Sequence, residues 1–232
     1  AGKLGTGILK GPTSRQATRG RWIPGDVEEQ GWQLMQQDDP RPRVKRVDPW
    51  SFFPDMSARS IEEAEFTFER YLWTKAQLRK MVKTHGFNPN AVRRLLRERA
   101  GSLHGTPKGL EYIIQLRSIS KDEGAPIRGR YVGWEYHGPL ECGEVATLLR
   151  AMGQEDMANE YEARNDPLDE LQVVAFFCEN ELLKIAPEYP LDSGETLYSV
   201  FNVVDADGSI FGYGVPHLID STQAALNAAW RM

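Results

Sequence analysis

Apolar and polar residues alternate most cleanly in EFTFERYLW, Glu65 to Trp73. Phe66 and Phe68 fall on one side of an extended chain, and Glu65, Thr67 and Glu69 on the other. A period of two predicts a half-buried strand with its rings turned to the core. At Thr74 the period lengthens. Thr74 and Gln77 have the spacing of a capping box, and KAQLRKMVKT sets Leu78, Met81 and Val82 on one helical stripe. Gly86 stands where a helix ends in the left-handed region. Asn88-Pro89 opens a second helix as cap and first residue; it turns Val92, Leu95 and Leu96 inward and its arginines outward. Lys108 to Ser120 leans to helix on Leu110, Ile113, Ile114 and Leu116. RYVGWEYHG reads as a strand. Glu144 to Arg150 and Gln154 to Arg164 read as short helices joined at Met152-Gly153. LQVVAFFC and ELLKIAP form a hairpin through Glu179-Asn180, and LYSVFNVV is a further strand closed by a turn at Asp205 to Gly208. Before residue 60, GILKGP, GWQLM and RVKRVDPWSFFPD read as short strands separated by turns. Pro40, Pro42, Pro49 and Pro54 exclude a long helix there. The order predicts an α+β fold of mostly antiparallel strands and several short helices, leading into one long C-terminal helix.

That last helix is the most strongly patterned. In GSIFGYGVPHLIDSTQAALNAAWRM, Pro216 suits a first helical turn. Asp220 and Gln223 repeat the spacing of a start signal, and alanines fill the turns beyond it. No glycine, proline or basic cluster ends it. Ile219, Leu226 and Trp230 form an apolar stripe, Ala224, Ala225, Ala228 and Ala229 leave room for a neighbouring helix, and Gln223 and Asn227 lie four apart. Gly212 and Gly214 ahead of Pro216 predict a tight strand-to-helix corner in which glycine supplies unusual φ. Docking of this helix on its own domain is the plain alternative.

Composition narrows the classes. Of 232 residues, 41% are hydrophobic and 26% charged, the balance of a globular protein able to bury a core without disulfides or metal. No run of about 18 apolar residues spans a membrane, and AGKLGTGILKGP is not a signal peptide. The chain starts without Met and ends inside a helix, so a fragment of a longer polypeptide is expected. The net charge of −5 argues against a surface that grips nucleic acid throughout. The charge is uneven. Lys75, Arg79, Lys80, Lys83, Arg93, Arg94, Arg97 and Arg99 face only Glu98 between Tyr71 and Arg99, whereas Glu141 to Glu195 is acidic. Copies packing basic flank to acidic flank would use Arg79, Lys83, Arg93, Arg94 and Arg97; two solvated faces of one domain fit equally. The aromatics of WSFF, FTF, YLW and YVGWEY fit core filling better than stacking on bases.

Catalytic signals are weak. GKLGTG lacks the ending of a phosphate-binding loop. DADGS resembles the opening of a calcium loop, but Pro216 stands where the bidentate carboxylate belongs, so a hairpin turn is expected. His85, His104, His137 and His217 are scattered. His137 lies near Cys142, but the turn-like Gly138-Pro139 intervenes and no placed partners are visible. Cys142 and Cys178 read as reduced thiols. No catalytic, cofactor or metal site is assigned.

Two stretches go further. YPLDSGETLYSVFNVVDADGSIFGYGVPHLIDSTQAALNAAWRM, Tyr189 to Met232, resembles the wing-to-stem passage of the portal proteins, or head-to-tail connectors, of tailed bacteriophages, notably short-tailed ones. VDPWSFFPDMSARSIEEAEFTFERYLWTKAQLRKM is similar to their wing segment, and WEYHGPL resembles the same group. The resemblance implies a wing at 1–215 and the start of a truncated stem helix at 216–232. The corner would be Phe211, Gly212, Gly214 and Pro216, and the subunit contacts Ile219, Gln223, Leu226, Asn227, Trp230 and Arg231. It also implies a ring, commonly of twelve identical subunits, at a capsid vertex of the virion, assembled in the bacterial cytoplasm. Double-stranded DNA would pass through it, and terminase, capsid and neck or tail proteins would attach to it. It implies no enzyme activity, no cofactor and no membrane. The alternatives are a nucleic-acid-binding module using the basic helices at 74–100, and a hydrolase with an unrecognised site.

Overall fold

The computed structural model describes residues 4–24, 32–97, 130–164, 166, 169–187 and 195–231. In chain order these form β1 (Thr6–Pro24), β2 (Trp32–Val47), a 3-10 turn (Pro49–Ser51), β3 (Phe52–Pro54), β4 (Thr67–Thr74), α1 (Lys75–Thr84) and α2 (Pro89–Arg97). After them come β5 (Arg130–Glu141), α3 (Cys142–Ala151), α4 (Glu155–Ala163), β6 (Glu170–Cys178) and β7 (Glu181–Ala186). The chain closes with β8 (Tyr198–Asn202), β9 (Val204–Ala206), β10 (Ser209–Tyr213) and α5 (Val215–Arg231). All strand pairs with an assigned register are antiparallel, and the fold is α+β. The helix expected at Lys108 to Ser120 lies outside the described residues.

By contact the chain divides into two compact units. One holds Ala1–Val47, Leu197–Asp205 and Phe211–Met232; the other holds Asp48–Thr196 and Ala206–Ile210. These units group the chain by packing, whereas the expected boundary at 215/216 separates parts by their role in an assembly.

The first unit is built on a sheet of order β2-β1-β8. The short strands expected before residue 60 are instead two long ones, paired from Ile8 with Val47 out to Pro24 with Trp32. The prolines that exclude a helix are accommodated here, because Pro40 and Pro42 sit on β2, an edge strand among the described residues, where proline is tolerated. A register shift between Lys10 and Thr13 takes up Gly11 and Pro12. At the inner end Ile8, Val47 and Tyr198 are buried, and the Lys10 ammonium lies 5.0 Å from the centre of the Tyr198 ring.

The second unit is a five-stranded sheet, β3-β4-β5-β6-β7, with helices on both faces. The Thr74–Gln77 capping box starts α1, and Gly86 beyond its end takes φ +67°. Leu78, Phe87, Ala91, Val92 and Leu95 from α1 and α2 pack with Trp73, Tyr131 and Cys178. Val145, Ala146, Leu149 and Ala158 from α3 and α4 pack with Val173 and Ala175. Val173 and Ala175 alternate along β6 with Phe176 and Cys178, so the two clusters occupy opposite faces. Full burial of each large apolar side chain contributes roughly 1.5–3 kcal/mol.

β4 departs from the expected facing. Thr67 and Glu69 are buried, and Phe66 is exposed. Phe68 is half-buried beside Trp134, Tyr136 and Phe177. On β4 the buried face is the one that Thr67 and Glu69 share with Trp73, against which α1 and α2 pack, and the Phe66 face is left partly open.

Gly133 on β5 is a test of this packing. A Cβ there would run into the six-membered ring of Trp73 on the neighbouring strand. Gly133→Ala is expected to lower stability by about 1–3 kcal/mol, the usual range for overpacking, measured as a lower urea midpoint. An unchanged midpoint would contradict the packing.

Candidate functional site

The sequence places its most distinctive residues where β10 turns into α5, and the structure brings four backbone segments together there. Thr6 on β1 is the centre. Its Oγ1 donates to Asn202 Oδ1 at 2.8 Å and accepts from the Gly212 N–H at 2.8 Å. The Val203 N–H donates to the Gly5 carbonyl at 2.8 Å, and Asn202 Nδ2 donates to Asp205 Oδ1 at 3.2 Å. A threonine near the beginning of the chain therefore ties β8 to β10.

Glycine is required at this corner, for a reason other than the one expected. Gly212 and Gly214 do not take positive φ; Gly5 does, at +87°. What Gly212 supplies is space. A Cβ on it would meet the side chain of Asn202 at 2.6 Å and the carbonyl oxygen of Val204. A Cβ on Gly5 would meet the Gly212 carbonyl and, at 2.6 Å, the Gly214 nitrogen. Gly214 is buried, and its carbonyl accepts from His217 N–H at 3.1 Å and Leu218 N–H at 3.3 Å, which starts the helix. Phe211 is half-buried, and Pro216 stands exposed in the first turn. The Tyr213 and His217 rings stack across the corner, 4.7 Å apart and 13° from parallel. Of these residues the sequence pattern points to Phe211, Gly212, Gly214 and Pro216. It does not reveal Gly5, Thr6 and Asn202, whose roles depend on pairing across some two hundred positions.

α5 runs from Val215 to Arg231 and buries none of its residues. Ile219, Leu226 and Trp230 are 52%, 59% and 89% exposed. Gln223 Nε2 donates to Asn227 Oδ1 at 3.1 Å, so this pair bonds along the flank of the apolar stripe. At 100° per residue, Ala224, Ala225 and Ala228 fall on the side away from that stripe and Ala229 on its flank. Arg231 is exposed in the last turn.

The basic residues of α1 and α2 do not form one open face. Arg79, Lys83 and Arg97 are exposed. Arg94 is forked onto the Glu181 carboxylate, with Nε donating at 2.6 Å, and that carboxylate raises its pKa. Arg93 donates to Asn90 Oδ1 at 2.9 Å.

A buried polar row also escapes the sequence pattern. The register sets Glu69 opposite Glu135 and Thr67 opposite His137. Glu135 Oε2 accepts from Tyr71 Oη at 2.8 Å, and Oε1 lies 2.9 Å from His137 Nε2. The alternation of Glu135 and His137 in WEYH, matched to Thr67 and Glu69, is the signal that could have found it. His137 is thus held by Glu135 and not by Cys142, whose Sγ contacts the Asp169 carbonyl at 3.9 Å. The hairpin turn expected at Asp205 to Gly208 is made by Asp207-Gly208 between β9 and β10, with Gly208 at φ +74°. Among the described residues no group of three or more His, Cys, Asp or Glu side chains is placed to hold a metal ion.

No protein-family model matches the chain, and no curated protein matches it.

Thr6→Val keeps the shape of the side chain and removes both hydroxyl bonds. Leaving the Gly212 N–H without its acceptor is expected to cost about 1–3 kcal/mol and to speed hydrogen exchange at that amide. Exchange at the wild-type rate would show that the hydroxyl does not brace the corner.

Proposed function

We propose that the chain supplies the wing (1–215) and the first part of the stem (216–232) of a phage portal subunit. Copies of it form a ring at the capsid vertex through which double-stranded DNA is packaged and ejected. The reading rests on the resemblance of Tyr189–Met232 to the wing-to-stem passage of that family. The observation that carries it furthest is α5 itself, a helix about 25 Å long at 1.5 Å per residue whose apolar stripe is exposed along its length.

The helix has the two faces that a ring needs. A closed ring forms from a heterologous contact, in which one patch meets a different patch on the next copy. The Ile219–Leu226–Trp230 stripe supplies large side chains, and the alanine side allows close approach. The bridged corner fixes the angle at which α5 leaves the sheet, and an error of a few degrees there would accumulate around the ring. The role is geometric and electrostatic, and no catalytic residue takes part. A net charge of −5 suits a conduit along which DNA slides, since adhesion requires cations on phosphates. In this reading the protein belongs to the virion, and its partners are identical subunits, terminase, capsid and neck or tail proteins. Among the described residues no helix is long and apolar enough to cross a membrane.

Electron microscopy of the full-length protein is expected to show closed rings, commonly of twelve copies. Leu226→Asp combined with Trp230→Asp should abolish them and leave the circular dichroism spectrum of the subunit unchanged, because both side chains are exposed. Rings that survive the double substitution would defeat the proposal. Tight, salt-sensitive DNA binding by a monomer would favour a nucleic-acid-binding module built on the basic helices at 74–100 instead.

A further inference from the structure

The five-stranded sheet has an aromatic face that neither core cluster takes in. Phe53 pairs with Phe68 across β3 and β4, Arg70 with Trp134 across β4 and β5, and Trp134 with Phe177 across β5 and β6. The period of two sets Phe68 and Arg70 on the side of β4 opposite to Thr67 and Glu69. The rings touch one another. Phe53 and Phe68 lie 5.4 and 6.3 Å from Trp134, and Phe177 lies 6.2 Å from Phe68. α3 and α4 cover the Val173 and Ala175 end of this face, and their cluster leaves out Phe53, Phe68, Trp134 and Phe177. Phe53 is 39% exposed, and the other three are half-buried. An open apolar patch of this kind marks an interaction surface.

Arg70 stands in the middle of the patch and is only 9% exposed. Its guanidinium carbon lies 5.0 Å from the centre of the Phe53 ring and 5.9 Å from that of Trp134. Nη2 donates to the Trp50 carbonyl at 2.8 Å, whereas Nε is shut off from solvent with no hydrogen-bond partner. Among the described residues no carboxylate offsets the burial that lowers its pKa. Glu69, its neighbour in the chain, faces Glu135 on the other side of the sheet. The exposed Arg94, Arg150 and Arg164 each have a carboxylate. The guanidinium with least access to water is thus the one without a counter-ion. A buried, uncompensated cation is costly, and a buried donor without an acceptor needs an explanation. A carboxylate brought from outside answers both.

Phe53 is the movable cover. It sits on β3, three residues at the edge of the sheet among the described residues. An exposed ring changes rotamer within nanoseconds, and turning it aside uncovers the guanidinium while the sheet stays intact. Charge selects the partner. One guanidinium matches one carboxylate, whereas gripping nucleic acid takes a series of cations. The loop leading to Phe66 also carries the exposed Glu62, Glu63 and Glu65, with Arg59 as its one base, and these repel a polyanion.

We propose that this face docks a partner protein's segment that presents one aspartate or glutamate beside an aromatic side chain. Arg70 takes the carboxylate in its planar fork, and Phe68, Trp134 and Phe177 take the ring. Arginine and large aromatic side chains are the usual anchors of protein interfaces. The site lies within one sheet and does not depend on the ring reading.

The test is a titration of the full chain with acetyl-Phe-Glu-Phe-amide, followed by NMR at the Arg70 Nε–H and the Trp134 indole N–H. Both signals are expected to shift saturably, and the peptide with glutamine in place of glutamate to bind about tenfold more weakly. Arg70→Met keeps an apolar stem of similar length and should erase the difference between the two peptides. If that variant does not fold, the difference seen with the wild-type chain decides. No shift at millimolar peptide, equal affinity for the two peptides, or a glutamate preference that survives in Arg70→Met overturns the site. Inorganic phosphate or a deoxythymidine octamer that shifts Arg70 at lower concentration than the peptide makes it a phosphate site and also overturns it.

Discussion

One hydroxyl group decides where the last helix begins. Thr6 Oγ1 has a donor on one side, the Gly212 N–H, and an acceptor on the other, Asn202 Oδ1. With both engaged, β8 and β10 are held to β1, and the backbone of Gly5 comes so close to Gly212 and Gly214 that no side chain fits between them. A short loop alone would leave the direction of α5 to its own torsions. Here the direction is set by a sheet, because the corner is bonded into one. Any role for α5 that depends on its angle, a wall shared with neighbours above all, depends on this bridge.

The second unit obeys a different constraint. Its helices pack on both faces of the sheet, and the face of β4 and β5 beneath α1 and α2 carries polar groups as well as rings. Glu69, Glu135, His137 and Thr67 are accordingly buried. Their burial is tolerable where charge and hydrogen bonds are shared, as Glu135 shares its carboxylate between Tyr71 and His137. Arg70, on the other face, donates to the Trp50 carbonyl at 2.8 Å and lies over the Phe53 ring; its burial lowers its pKa. A sheet with these groups inside is specified more narrowly than an all-apolar one, since a slip between β4 and β5 would part Glu135 from Tyr71.

Apolar surface is placed unequally. The core clusters are well covered, whereas α5 and the β1–β2 ribbon present Trp230, Leu226, Trp22 and Trp32 to solvent. A single chain gains nothing by exposing three tryptophans.

Local signals were legible in the sequence because they depend on neighbours. The capping box at Thr74–Gln77, the left-handed Gly86, the Glu179-Asn180 hairpin, the paired helices α3 and α4, and the start of α5 near Pro216 are each fixed by residues within a few positions of one another. The tertiary structure decided the rest. It joined the fragments before residue 60 into one long ribbon, with Pro40 and Pro42 on a strand at the sheet edge among the described residues, where proline is tolerated. It reversed the facing of β4, because α1 and α2 pack on the side that carries Thr67 and Glu69. It assigned Gly212 to space instead of φ, and it chose Thr6 as the brace. The physical reason is the same in each case: a periodicity records what a residue's neighbours in sequence demand, but which face is covered and which hydroxyl meets which amide are set only when distant strands pair.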